Sequence, residues 1–316
     1  MNPAIEAVDL VKVFGTHRAV DGVSLTVPTG AVYGVLGPNG AGKTTTVRML
    51  ATLLRPDGGS ARVFGHDVTR EPTTVRSLVG VTGQYASVDE DLSATENLIV
   101  FSRLLGLSRK DSRRRATELL DEFGLVEAAN RPLKGFSGGM RRRLDLAASL
   151  IASPPLLFLD EPTTGLDPRT RAQMWETIRR LVAQGSTVLL TTQYLDEADN
   201  LCDRIAVIDH GKVIADGTAD ELKSSIGQSS LQLVLSDKAQ LDDARSIVAS
   251  YLGIEVSAST ESGRLSAPMA NPSHTPDILI RLRDHDIAVE EISVTKPSLD
   301  EVFMTLTGKT AQEDAA

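Results

Sequence analysis

The sequence predicts an α/β protein with a mostly parallel sheet, followed by a small α+β domain of ferredoxin-like type. Three observations carry this. Short apolar or β-branched runs at 31–36, 156–159 and 187–191 have the character of strands buried on both faces. Helical patterns, one from Lys43 and one over 169–183, alternate with these runs, as in a parallel α/β sheet. Beyond residue 225 the order becomes strand, helix, strand, strand, helix, strand, which is a β-α-β-β-α-β sandwich.

Taken in order, residues 5–13 and 23–27 alternate polar and apolar side chains, as paired strands do. The run 31–36 (AVYGVL) ends in a glycine-rich loop, and a helix pattern starts at Lys43. Residues 110–129 read as one helix, with Leu119, Leu120, Phe123 and Val126 on its apolar face. His210-Gly211 separates 204–209 from 212–215 as a hairpin turn does. The polar, small stretch 223–230 (KSSIGQSS) is the predicted linker. After it, strands are predicted at 231–235, 254–259, 262–267 and 287–294, and helices at 239–252 and 275–284. The stripe Leu241, Ile247, Val248 and Tyr251 is expected to be core. The expected domains are 1–225 and 226–308, with a disordered tail at 309–316.

The chain has 316 residues, enough for two domains. A net charge of −9 argues against nucleic acid as a partner, because phosphate backbones call for a basic face. The N-terminus has neither a basic start nor an apolar run, so no secretory signal is expected. No apolar stretch approaches the ~18–20 residues that span a bilayer. If the protein moves something across a membrane, another chain supplies the path. The single cysteine, Cys202, reads as a small buried apolar residue and fits a reducing cytosol.

Gly37-Pro38-Asn39-Gly40-Ala41-Gly42-Lys43-Thr44 fits the phosphate-loop pattern G-x-x-x-x-G-K-[ST]. Glycines let backbone N–H groups converge on phosphate oxygens, and the following helix points its positive dipole end at the anion. Lys43 brings a point charge to the β- and γ-phosphates, and Thr44 offers a hydroxyl to Mg²⁺. Thr45 completes the candidate ATP-binding set. The second half is Leu156-Leu157-Phe158-Leu159-Asp160-Glu161, a buried strand ending in two acids. Asp160 is the candidate for the Mg²⁺ shell and Glu161 for polarising the attacking water. Ser137-Gly138-Gly139 opens a helix and forms a second anion site, one that a head-to-tail dimer would bring to a partner's nucleotide.

With these motifs in this order, residues 5–220 resemble the ABC ATPase family. The resemblance implies a P-loop NTPase cassette: a RecA-like core with antiparallel β and helical subdomains. It implies that Gln84 senses Mg²⁺ and γ-phosphate, that Ser137 to Met140 is the family signature, that Leu166-Asp167-Pro168 is the loop crossing the dimer, and that Phe14 stacks on adenine. Strand core is the lesser alternative for Phe14, and Asp167 could cap the next helix as well. Phe136–Ala148, Thr191–Asp199 and Lys296–Gly308 look like the ATPase subunits of daunorubicin-resistance-type drug and lipid exporters. That resemblance implies a separate integral membrane permease and a place on the cytoplasmic face of the cell membrane; the second ATPase subunit is expected to make a homodimer, with a related chain as the alternative. It also implies export of an amphipathic substrate.

Two positions depart from the family pattern. Met140 stands where glutamine is usual, with little loss expected, since the anion contacts come from Ser137 and the glycine N–H groups. Gln193 stands where histidine is usual. It can donate to a γ-phosphate oxygen but cannot carry a positive charge, so slow hydrolysis is expected, with Glu161 indispensable. Importer ATPases and soluble ABC ATPases on ribosomes or DNA are the competing classes. The single cassette, the lack of long coiled coils and the acidic balance disfavour the soluble ones. The runs Arg113–Arg115 and Arg141–Arg143 read as solvated helix faces, with permease or lipid headgroups as the sharper alternative. Residues 85–97, next to Gln84, are the expected coupling segment.

Overall fold

The computed structural model describes residues 3–82, 88–227, 229–259, 263–269 and 271–308. Two compact units result, Met1–Ala219 and Asp220–Ala316.

The first unit opens with strands β1 (Ile5–Phe14) and β2 (His17–Val27), then β3 (Val32–Leu36) and helix α1 (Lys43–Leu50). It continues with β4 (Gly58–Val63), β5 (His66–Asp67), α2 (Pro72–Leu78) and β6 (Val79–Thr82). A helical stretch follows: α3 (Ala94–Leu104), α4 (Arg109–Glu122) and α5 (Gly138–Ser149). The chain then returns to the sheet through β7 (Leu156–Asp160), α6 (Pro168–Ala183), β8 (Thr187–Thr192), α7 (Leu195–Leu201), β9 (Arg204–Asp209) and β10 (Lys212–Gly217).

Six strands form the main sheet in the order β10-β9-β3-β8-β7-β6. β3, β6, β7, β8 and β9 run parallel, while β10 joins as an antiparallel hairpin. β3, β7 and β8 are buried at every residue, as the continuous apolar runs predict. A second, antiparallel sheet of order β2-β1-β4-β5 shares the core beneath α1. Register fixes where chemistry can occur. Leu36 of β3 pairs with Thr192 of β8, and Asp160 of β7 pairs with Thr191. Three strand ends therefore finish level at the carboxyl edge of the sheet, where parallel α/β folds place their ligands.

The helical stretch differs from its sequence reading. The helix expected over 110–129 stops at Glu122, because Gly124 takes φ +62 and turns the chain. Ser93, Ser108 and Ser137 cap α3, α4 and α5, each accepting from a backbone N–H three residues on. The arginine runs are only partly solvated. Arg141 pairs with Glu90 at 2.6 Å, Arg143 donates to the Phe123 carbonyl at 3.1 Å, and Arg115 donates to the Leu150 carbonyl at 2.7 Å. Arg113 and Arg114 remain exposed. Runs of like charge dock here because each of these guanidinium groups finds a carbonyl or carboxylate to pair with.

In the second unit the stretch read as a linker is helical as far as Ile226, in α8 (Ala219–Ile226), with Asp220 and Glu221 in its first turn and Leu222 buried. The remainder is β11 (Ser229–Leu235), α9 (Leu241–Leu252), β12 (Ser257–Ser259), β13 (Arg264–Met269), α10 (Thr275–Asp284), β14 (Val289–Thr295) and α11 (Leu299–Thr307). Its antiparallel sheet has the order β12-β13-β11-β14, which is the ferredoxin-like arrangement. Leu231, Leu233 and Leu235 alternate inward and join Leu241, Val248, Ile278 and Leu282 in one core. Each such buried leucine contributes ~1.5–3 kcal/mol. Ile247 and Tyr251, predicted as core, pack on it only partly buried. The sequence reading assigned no element to α11, whose N-cap is Ser298.

Candidate functional site

The loop between β3 and α1 shapes a cavity of ≈ 400 Å³. Phe14, Asn39, Gly40, Ala41, Gly42, Lys43, Thr44, Thr45 and Glu161 line it, with His17 and Ala19. The loop has this path because Gly42, the residue before α1, takes φ +102, and a Cβ there would lie 2.4 Å from the Ala19 carbonyl. Lys43 is buried, and its Nζ donates to the carbonyls of Gly37 at 2.7 Å and Pro38 at 3.0 Å. Burial pulls its pKa down, while Glu161 and Asp160 push it back up. Its ammonium lies 3.9 Å from Glu161 Oε1.

Thr44 Oγ1 donates to Asp160 Oδ1 at 3.0 Å, and Thr191 Oγ1 donates to the same oxygen at 2.5 Å. The sequence reading missed Thr191, which follows from its pairing with Asp160 across β7 and β8. A hydroxyl and a carboxylate this close, at the foot of a phosphate loop, fit Mg²⁺. That ion takes few protein oxygens and completes its shell with phosphate and water.

Glu161 follows directly. It holds φ +49, and its N–H donates to the carbonyl of Thr191 at 3.2 Å and to the Thr191 hydroxyl at 3.1 Å. Thr164 Oγ1 donates to Glu161 Oε2 at 3.2 Å. Gln193 lies half-buried just past β8, at the same sheet edge. Phe14 is exposed at 48%, with the Lys12 ammonium 5.6 Å from its ring centre. It is thus not strand core. Gln84 lies outside the described residues, as does the start of the expected coupling segment 85–97.

The signature residues are placed elsewhere. Ser137 caps α5, accepting from the Met140 N–H at 3.3 Å, and its own proton remains available to an anion. Gly138 lines a second cavity of ≈ 380 Å³ with Glu90, Arg141, Arg142, Gly165 and Leu166, and Glu161 borders both cavities. Gly139 has an intrachain reason to be glycine: a Cβ would sit 2.3 Å from Thr170 Cγ2 on α6. Asp167 caps α6, with Oδ1 accepting from the Thr170 N–H at 3.0 Å and Oδ2 from its hydroxyl at 2.6 Å. Those bonds, the hydroxyl's first, pull its carboxyl pKa down. Glu197, on α7, is fully buried and was absent from the sequence reading. It accepts from Thr163 at 2.8 Å and from Trp175 Nε1 at 3.1 Å. Burial pushes its carboxyl pKa up against those bonds.

Comparison with known proteins now decides the family. Residues 20–164 match the family described as ABC transporter, and residues 217–307 match the ATP-binding protein DrrA1-3-like C-terminal domain. The daunorubicin/doxorubicin resistance ATP-binding protein DrrA of Streptomyces peucetius is 58% identical over 310 residues, covering 98% of this chain and 94% of that one. The chain belongs to the ABC transporter family, among its DrrA-type ATP-binding proteins.

The Nod factor export ATP-binding protein I of Sinorhizobium fredii is more distant, at 39% identity over 97% of this cassette protein and 86% of that one. A solved ATP-binding subunit of an ABC transporter superposes at TM-score 0.63 with 29% identity, covering 71% of this chain and 93% of that one. A dimeric post-hydrolysis cassette bound to ADP and Pi superposes at TM-score 0.62 with 25% identity, covering 68% and 98%. The fold read from the motifs is the fold of these cassettes, and the protein is an ATPase of that type. No helix among the described residues is long and apolar enough to cross a membrane.

Proposed function

We propose that this cassette energises export of an amphipathic drug or lipid-like molecule through a separate integral membrane permease. It would work on the cytoplasmic face of the cell membrane, as a head-to-tail pair of identical chains. The observation that carries this reading is the 58% identity to a daunorubicin/doxorubicin resistance ATP-binding protein, sustained over 98% of the chain and so including the C-terminal unit. The division of the first unit's site also supports a pair. Phosphate-loop residues line one cavity and Gly138 of the signature lines another, which supports a reading in which a second copy brings its signature onto the nucleotide.

In this mechanism Phe14 stacks on adenine, and the loop from Gly37 to Thr45 receives the phosphates on its N–H groups. Lys43, held at the cavity wall, meets the β- and γ-phosphates. Thr44 and Asp160, with Gln84, would hold Mg²⁺, which neutralises phosphate charge when bound. Ser137 and the Gly139 amide of the second copy close on the γ-phosphate, through charge-assisted bonds that exist only with ATP present. Asp167 stands at the start of α6, where the loop passes between the copies. Glu161 accepts a proton from the attacking water on a carboxylate oxygen, and Gln193 donates an amide hydrogen to a γ-phosphate oxygen. Loss of phosphate removes the bonds that held the pair closed, and the permease relaxes with it.

The test is affinity purification of the tagged chain from native membranes, with ATP and the Glu161→Gln variant to trap the closed pair. Mass spectrometry should return a polytopic membrane protein in stoichiometric amount. Recovery of ribosomes or other soluble partners alone would sink the exporter reading and leave the ATPase standing.

A further inference from the structure

Glu161 sits in a backbone conformation that L-residues adopt only where surrounding structure compels it, with φ +49. Its own N–H is held by Thr191. The carbonyls of the residues on either side of it are held by a different element. Arg142, on α5, donates from Nη2 to the carbonyl of Asp160 at 2.7 Å and from Nε to the carbonyl of Pro162 at 3.0 Å. The two bonds bracket Glu161. The guanidinium side chain is only 12% exposed, and Asp145, one turn further along α5, faces it at 3.6 Å. A planar fork can engage two carbonyls at a fixed spacing, and a lysine ammonium cannot reproduce that span.

From this bracket we infer that Arg142 is a positioning residue for ATP hydrolysis: it locks the left-handed turn that aims the Glu161 carboxylate. The inference rests on the reading of Glu161 as the group that activates water. A side chain free to relax from φ +49 would swing its carboxylate away from the cavity it shares with Lys43, so proton acceptance suffers while ATP binding does not. Ser137 caps the start of α5, so one helix carries both the signature and the group that sets Glu161.

Steady-state ATPase kinetics on the full chain test this with Arg142→Lys, Arg142→Met and Glu161→Gln. Lys keeps the charge opposite Asp145 and guards against a folding defect. Arg142→Lys is expected to lower kcat about tenfold and Arg142→Met about a hundredfold, with KM for ATP within about twofold. The residual rate of Glu161→Gln should fall less than about twofold further when Arg142→Met is added, because both changes disable one group. Unchanged kcat in Arg142→Lys, a rise in KM matching any loss, or full multiplication of the two losses would each overturn the role of Arg142. Near-normal turnover in Glu161→Gln alone would instead overturn the role of Glu161 on which the inference stands.

Discussion

Thr44 Oγ1 and Asp160 Oδ1 meet at 3.0 Å across 116 residues of sequence, joining the first turn of α1 to the last residue of β7. With Thr191 as the second donor, Asp160 is held in place before any ligand arrives.

This arrangement separates charge from structure. In Asp160→Asn the amide oxygen still accepts from Thr44 and Thr191, so the fold should melt within a few degrees of the parent. The lost negative charge should cut Mg²⁺-dependent turnover by at least ~100-fold. Calorimetry alongside a phosphate-release assay reads both. A variant that melts normally and still hydrolyses ATP at the parental rate would remove Asp160 from the metal site.

Gln193→Ala removes one neutral donor from the edge of the sheet. A bond to a charged oxygen is worth ~1.5–3 kcal/mol, so kcat/KM for ATP should drop roughly ten- to a hundredfold. Unaltered turnover and ATP affinity would mean that Gln193 makes no bond to the γ-phosphate.

Glu197 makes stability depend on pH. Its folded carboxyl pKa is raised by burial above the ordinary value of 4.5. Between that value and the raised one, the folded chain binds more protons than the unfolded chain, so stability falls as pH rises through the window. Glu197→Gln keeps an acceptor for Thr163 and Trp175 and carries no charge. Its melting temperature should therefore gain on the parent's as pH climbs from 4.5 through the raised folded value. Parallel melting curves across that range would show that Glu197 stays ionised in the fold.

Gly139 has a packing reason of its own to be glycine. In Gly139→Ala the new methyl meets Thr170 Cγ2, and Thr170 is held by its hydroxyl bond to Asp167. Overpacking of this kind costs ~1–3 kcal/mol. Adding Thr170→Ser deletes the opposing methyl and keeps the hydroxyl, so most of the stability should return. Urea unfolding of the two single variants and the double variant measures the coupling; additive losses would exclude the contact.

The candidate nucleotide site was proposed from the sequence because its motifs are local. Gly37 to Thr45 is one loop, and Asp160-Glu161 is one strand end. An apolar run followed by acids, or glycines followed by Lys-Thr, leaves few physical readings open. The ferredoxin-like order of the C-terminal unit was legible for a related reason: strand and helix periods differ, and β11 alternates inward at Leu231, Leu233 and Leu235.

Other residues could not be read this way. Arg141 to Arg143 looks like a wet helix face, yet Arg142 is tucked against the Asp160 and Pro162 carbonyls. The helix expected over 110–129 ended early because Gly124 turns the chain, and the supposed linker at 223–230 is helical through Ile226. By itself, then, the sequence determined the fold class, the phosphate loop and the family, since those depend on residue type and spacing along one segment. Only tertiary structure decided that Thr191 holds Asp160, that Glu197 is buried against Thr163 and Trp175 and that Arg142 brackets Glu161. Hydrogen bonds and burial are relations between segments that the chain order does not make neighbours.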